Sequence, residues 1–586
     1  MKLTKIIFVL IVIFAALVPL SCKKSFLVQT NTFQSGPDAT FNKASDVIGL
    51  VNSIYDSYQS SDLLKKSIWY YANFQTHDFY NYGADIIWNN YQITSDFGAL
   101  STFWNNGYIG IARANAAFGI IATAKSKGIV TAALADRLTG EAYFLRGMTY
   151  YYLAGSFGGV PLELNAVSNG LTPRSSQDSV FMQVVSDMKQ AESLLLSKTT
   201  LATADLGRAT KGAAYGFEGA AQMWLKNYTA ALAAFNNPEL TNNYHLLNSF
   251  VDVHEFNHQN SDESLFEVQF DLPAGGSQTW DGSWQNGGEI AWIDDFSWPE
   301  ELSNFGYDYG NPGLWYSYQA GDTRKLATIV GPGDSIVSPG IIGRGGIRSY
   351  PQVIADFNDT NIKDSTNHLK AVGLDGKIIN TCGTVLRPWY GRSDSKRSGY
   401  YCAKKWRDPN LNGNSGNQTI FGSQNQILLR YAEILLDRAE CKIRNGDIPG
   451  GLADIKLVRD RAWGLNSGGT AAPAVMQDGL NYNGTPSTPI TDPLQMVYSE
   501  YRHELTGEYS LFYDLRRAGP GVAAAFIQKA YGTDATTTPQ PYPYGPTADG
   551  LLHGVWRTLL PAGRDLLPIP QAARGLNPNL TQNPGY

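Results

Sequence analysis

The sequence predicts a mainly α fold, a tetratricopeptide-like helical scaffold with a large irregular, loop-rich insertion containing short strands. Three observations predict it. Apolar residues recur at helical period in the first half of the chain and again near its end. The stretch ATKGAAYGFEGAAQMWLKNYTAALAAF, from Ala209 to Phe235, reads as a helix-turn-helix with tetratricopeptide spacing. Its small Ala213, Gly216 and Ala220 permit close helix packing, and Tyr228, Ala231 and Phe235 share one face of the second helix. Between 246 and 425 Gly, Asn, Asp and Ser become frequent and the helical period is lost.

Five segments follow in order. Residues 1–21 are a leader: Lys2 and Lys5 precede the uncharged run Ile6 to Leu20, and small Ser21 stands before Cys22. That arrangement resembles a bacterial lipoprotein signal, with the Cys22 thiol lipidated. Residues 22–40 are polar and form a tether. The N-terminal helical region, 41–245, carries apolar stripes over Asp46–Tyr58, Trp104–Ala122, Ala132–Ala154 and Asp178–Leu196, with Asp178 as an N-cap, and then the helix pair already described. The insertion, 246–425, holds the strand pattern Ser264–Phe270. The C-terminal region, 426–586, opens with a helical stripe over Gln426–Ile443 and a partner helix over Gly451–Trp463. A helix over Pro493–Gly519 is capped by Asp492, and a Pro-rich extended tail runs from Thr536 to Tyr586. The helical pairs stand too far apart in sequence for an uninterrupted solenoid.

Composition excludes several classes. Of 586 residues 17% are charged and the net charge is −6, with no long Lys/Arg run, so a nucleic-acid partner is not expected. Aromatics make up 12%, including 33 Tyr and 13 Trp, which argues against a disordered chain. No apolar run reaches the roughly 20 residues of a membrane-spanning helix. Four cysteines are too few for a disulfide scaffold, though Cys382 and Cys402 share one loop-rich region and are candidates to pair; Cys441 sits in a helical pattern as a buried thiol.

The chemistry-bearing motifs are weak. His254 to His258 reads HEFNH, a literal H-E-x-x-H, but polar QNSDES follows at once and the helix that zinc binding needs is not predicted. Gly340 to Gly346, GIIGRGG, lacks the Lys-Ser/Thr pair of a phosphate loop. Asp294 and Asp295 are adjacent acids with no evidence of catalytic separation. No metal, no cofactor and no enzymatic activity are expected.

Six segments, in order along the chain, resemble the SusD/RagB family of outer-membrane glycan-binding lipoproteins. They are Cys22 with KKSFLVQ; Trp104 to Asn115 (WNNGYIGIARAN); Glu141 to Leu162; Leu428 to Glu440 (LLRYAEILLDRAE) with Val458, Arg459, Arg461 and Ala462; Glu500 to Gly519; and Leu566 to Tyr586. Tyr501, Leu511 and Ala518 depart from the family's usual Arg, Arg and Trp, and Lys456 from its Asn. The resemblance implies a non-catalytic, lipid-anchored protein of the outer membrane, facing the cell surface. It would capture oligosaccharides or polysaccharides for import by a SusC-like TonB-dependent transporter. The alternatives are a secreted glycoside hydrolase and a helical-repeat scaffold that binds protein or peptide.

Glycan binding needs flat rings for the apolar face of a pyranose and amides or charged groups for its hydroxyl rim. Two clusters offer both. The first, His77 to Tyr91, carries Tyr80, Tyr82 and Trp88 among Asn81 and Asn89, in a region that supplies ligand contacts in the resembled family. The second, Trp280 to Tyr318, carries Trp284, Trp292 and Trp298, with Trp315 and Tyr316 further on. The expected ligand residues are Trp88, Tyr80, Tyr82, Asn81, Asn89, Trp284, Trp292 and Trp298. Tyr150, Tyr151, Tyr152 and Trp224 lie on helical stripes and are expected in the core.

Overall fold

The structure is a computed structural model. It describes residues 41–60, 63–81, 85–270, 308–330, 334–340, 342, 352–353, 369–372, 378–379, 387–388, 397–398, 401–405, 407, 423–480, 486–532 and 559–586.

The N-terminal half is a run of packed helices: α1 (Ala44–Asp56), α2 (Gly98–Ser126), α3 (Ala132–Phe157), α4 (Gln177–Leu194), α5 (Lys211–Trp224) and α6 (Tyr228–Phe235). Each packs on its neighbour, α3 lying between α2 and α4, and α4 against α5. The predicted stripe of α1 buries Val47, Val51 and Ile54. Caps fall where short polar side chains precede the stripes: Thr131 accepts from Leu134 N at 3.2 Å, and Thr210 from Ala213 N at 3.2 Å. The cap of α4 is Ser176, accepting from Ser179 N at 3.1 Å, while Asp178 sits inside the first turn and faces the positive end of the helix dipole. Gly216 is required by close approach, since a Cβ there would meet Leu429 Cδ2 at 2.6 Å.

Of the eleven short strands among the described residues, six bear on the helices and the site: β1 (Phe79–Asn81), β2 (Ser264–Val268), β3 (Asp308–Gly310), β4 (Ile329–Val330), β5 (Tyr401–Cys402) and β6 (Gln426–Arg430). They pair antiparallel as β1 with β3, β2 with β6, and β4 with β5. The pairing of β2 with β6 joins the two ends of the irregular excursion. It also revises the helix expected over Gln426–Ile443. All five residues of β6 are buried, so their apolar run suits either element, and pairing with β2 selects the strand.

The helices resume with α7 (Tyr431–Arg444), α8 (Ile448–Ala462), α9 (Pro493–Leu505), α10 (Leu511–Ala518) and α11 (Val522–Tyr531), and a short α12 (Gln571–Leu576) interrupts the tail. Helix α7 packs on α8, on α9 and also on α6. The helical array that the sequence separates is therefore continuous in space. Asp492 caps α9 as expected, accepting from Gln495 N at 2.9 Å. The single helix expected over Pro493–Gly519 is two, because Gly507 turns at φ +86° between them.

A buried ion network ties the excursion to the C-terminal helices. Arg430 bonds Glu263 at 2.8 Å and Glu508 at 2.7 Å, and Arg324 bonds Asp322 at 2.6 Å and Glu504 at 2.9 Å. Arg461 pairs with Glu263 at 2.8 Å and with Glu504, and Lys404 with Glu508 at 2.6 Å. Burial alone would raise the Glu504 carboxyl, but Arg461, Arg430 and Arg324 outweigh it and hold it down at about 2.

Candidate functional site

The two aromatic clusters, far apart in sequence, meet at one strand pair. Strand β1 belongs to the first cluster and β3 to the second, in register Phe79↔Gly310, Tyr80↔Tyr309 and Asn81↔Asp308. Side chains lock the register. Asn81 Nδ2 donates to Asp308 Oδ1 at 2.7 Å, and the Tyr70 hydroxyl donates to the same carboxylate at 3.2 Å. Asn89 clamps β1 from its other side: Oδ1 accepts from Asn81 N at 3.1 Å, and Nδ2 donates to Phe79 O at 2.9 Å and Phe74 O at 3.2 Å.

Beneath β1, Asp78 accepts from Arg502 Nε at 2.8 Å, from Thr506 Oγ1 at 3.0 Å and from the Tyr531 hydroxyl. These bonds fasten the site to α9 and α11. Burial works against the Arg502 guanidinium, yet the Asp78 charge beside it raises its pKa, while burial pushes the Tyr531 phenol well up.

The burial of this cluster corrects the sequence reading. Trp88 is 0% exposed, edge-on to Tyr70 at 6.1 Å and to Phe97 at 6.2 Å. Tyr80, Asn81 and Asn89 are buried as well. An indole with no exposed face offers a sugar no stacking surface, and both Asn side chains bond the protein. Pairing of β1 with β3 folds these residues inward, so they support a site and do not form its floor. Tyr82, Trp284, Trp292 and Trp298 lie outside the described residues.

Just beyond β3 an aromatic shelf is partly open. Trp315 and Tyr316 are half-buried on the short helix Pro312–Ser317, which Asn311 caps by accepting from Gly313 N at 3.0 Å. The rings stand nearly perpendicular at 4.6 Å. Trp315 Nε1 donates to Asp334 Oδ2 at 2.7 Å, and Lys325 Nζ lies 3.0 Å from the indole centroid. Burial pulls the Lys325 ammonium down to about 8, against the opposing charge of Asp334. The ammonium covers one face of the indole, which leaves a pyranose the remaining open part of the ring, with Asp334 and Lys325 beside it for hydroxyls. The density of aromatics in a polar loop was the available signal for Trp315, but nothing local separated it from Trp284 or Trp292.

The remaining motifs resolve as structure. His254 and His258 lie in separate 3-10 turns, Phe250–His254 and Phe256–His258, so the HEFNH match lacks its helix. The His254 ring, held at about 3 by burial, sits 3.4 Å from Glu508. Among the described residues no group of three or more His, Cys, Asp and Glu side chains could hold a metal ion. Asp294, Asp295 and most of Gly340–Gly346 lie outside the described residues. Cys402 is a free buried thiol in β5, and Cys382, its candidate partner, lies outside the described residues; Cys441 is also free and buried, as expected. Tyr150, Tyr151, Tyr152 and Trp224 are in the core.

Elsewhere, a cavity of about 450 Å³ lies between α2 and the C-terminal segment, lined in part by Trp104, Tyr108, Asn165 and Leu576. Leu576 in its lining is 83% exposed, and exposed aliphatic side chains neighbour the lining in sequence, among them Val167, 86% exposed, between Ala166 and Ser168. No helix among the described residues is long and apolar enough to cross a membrane.

A model of the SusD family matches residues 262–586, and a second, described as starch-binding and associating with the outer membrane, matches residues 29–225. A SusD-like protein of Formosa agariphila is 26% identical over 516 residues, covering 85% of this chain and 83% of that protein. Surface glycan-binding protein A from Bacteroides fluxus superposes with a TM-score of 0.64 at 19% identity, over 93% of this chain and 100% of that one. A laminarin-binding SusD-like protein superposes with a TM-score of 0.63 at 20% identity, over 93% and 100%.

Proposed function

Because the chain belongs to the SusD family, we propose that it is a non-catalytic carbohydrate-binding protein that captures oligosaccharides for import. The observation that carries this reading is the β1–β3 pair, which draws two aromatic-rich loops to one place and presents the Trp315–Tyr316 shelf beside it. Each stacked ring contributes about 0.5–1.5 kcal/mol beyond burial, and each hydrogen bond about 1 kcal/mol. Set against ordering costs, that supports roughly micromolar-to-millimolar affinity, suited to a ligand that must be passed on. The relatives named for surface glycans and laminarin support the ligand class.

In the same reading residues 1–21 are a removed leader, Cys22 carries the lipid, and residues 22–40 tether the body to the outer membrane, facing the cell surface. The N-terminal helical region is 41–245, the excursion 246–425 and the C-terminal region 426–586. The partner is a SusC-like TonB-dependent transporter. Support for a protein partner comes from the exposed aliphatic rim around Val167 and Leu576.

A glycan array followed by calorimetry tests the ligand class. Incubation with the glycans bound must leave them intact. New reducing ends would establish a glycoside hydrolase, and failure to bind any glycan while forming a stable protein complex would establish a scaffold.

A further inference from the structure

The Trp315 indole beside β3 does not stand bare. Lys325, on the short helix Arg324–Thr328, lays its ammonium 3.0 Å from the indole centroid. Asp334 takes the ring's edge instead, where its Oδ2 accepts from the indole N–H at 2.7 Å. A cation therefore lies over the ring and an anion beside it.

The two cations of that short helix are treated differently by the fold. Arg324 is fully buried and its guanidinium is met by Asp322 at 2.6 Å, by Glu504 at 2.9 Å and by Glu500. Lys325 is half-buried, and among the described residues its ammonium donates to no carboxylate, carbonyl or hydroxyl. Asp334 acts on it only through its charge, while burial draws the ammonium down to about 8. Its Nζ nonetheless keeps surface open to solvent. A partly desolvated ammonium ordinarily takes a hydrogen-bonded anion, which stabilises it more than the face of a ring does. Lys325 has the ring and lacks the anion.

A pyranose stacked on the open part of Trp315, or on Tyr316 4.6 Å from it, brings its ring substituents beside this ammonium. A hydroxyl there accepts an ordinary bond. A uronate carboxylate or a sulfate ester accepts a charge-assisted one, roughly twice as strong. An acid group turned the other way would meet Asp334, so the two charges also set which edge of the sugar faces Lys325.

Resting on the glycan-binding reading of this shelf, we propose that Lys325 determines its specificity, selecting saccharides that carry a carboxylate or a sulfate ester over neutral ones. Lys325 Nζ donates to the acid group, the sugar ring takes the open aromatic surface, and Asp334 stays on the indole N–H.

An array of neutral, uronate-bearing and sulfated oligosaccharides, followed by calorimetry on the hits, tests the proposal with wild type, Lys325→Met and Lys325→Arg. Wild type should bind acidic members about tenfold more tightly than neutral members of the same backbone. Lys325→Met keeps an apolar stem against the indole and removes the charge. It should erase the preference, weakening acidic ligands by roughly tenfold and leaving neutral ones equal or tighter, at an unchanged melting temperature. Lys325→Arg keeps the charge and should keep the preference. Uronate hits without sulfated ones assign the selected group as a carboxylate, and the reverse assigns it as a sulfate ester. Neutral hits that match or exceed the acidic ones, or an acid preference that survives Lys325→Met, overturn the proposal and leave the glycan-binding reading standing. No hit in any class overturns both.

Discussion

Arg430, the last residue of the strand that closes the excursion, places Nη1 2.6 Å from Oε1 of Glu504 on α9, with both side chains fully buried. The same carboxylate also meets Arg324 at 2.9 Å and Arg461. Three guanidiniums meeting on one acid are tolerable in the interior because Glu263, Glu500 and Glu508 supply the remaining charge.

Glu504→Gln leaves those guanidiniums undercompensated. Breaking a buried ionic centre costs about 3–5 kcal/mol. Urea denaturation should show the midpoint falling by that equivalent at unchanged slope. A loss near zero would mean the network is dispensable.

Acid stability follows from the buried histidines. His254 is held at about 3 against an ordinary 6.5, with burial as the main cause, and burial together with nearby arginines holds His503 well below 6.5. Both pKa values are lowered on folding, so the unfolded chain takes up protons first and stability falls as pH drops below 6.5 toward 3. Glu504, lowered from 4.5 to about 2, adds a second loss between those values. Melting temperature measured from pH 7.5 downward should begin to fall near the first threshold, with a shallower decline in His254→Gln.

Trp88 and Trp315 should behave oppositely. Trp88→Ala empties a core position and should cost about 3–5 kcal/mol. Trp315→Ala, at a half-buried ring, should abolish or sharply weaken glycan retention in an affinity gel while the melting temperature shifts by only a few degrees. Unchanged retention in the second variant would remove Trp315 from the site and leave the ligand class untouched.

Cys22→Ala should release the protein from membranes in cell fractionation, since lipid chains contribute about 0.8 kcal/mol per buried CH₂. Persistent membrane association would place the anchor elsewhere.

Burial pushes the Cys402 thiol up to about 11. It should therefore resist alkylation in the native protein at neutral pH and react once the chain is unfolded. Rapid native labelling at this position, read by peptide mass spectrometry, would contradict its burial.

Local rules made much of the scaffold legible. The stripe of Val47, Val51 and Ile54 and the cap at Asp492 depend on neighbours a few residues away, and both formed as read. The run Gln426–Arg430 was ambiguous for the same reason, because its strand state is set by β2. In the candidate site, the two clusters could be found by composition, but not that Trp88 turns inward or that Trp315 stays half open.

The sequence alone determined the family, the helical stripes and the cap at Asp492, and the two loops in which aromatic and polar residues mingle. Those features rest on side-chain period and on hydrogen bonds that span a turn. Tertiary structure decided the continuity of α6 with α7, the joining of β1 to β3, and which rings are fully buried and which only partly. Exposure of an indole depends on what distant chain lies over it, and no local pattern around Trp88 carries the position of Tyr70 or Phe97 against its ring.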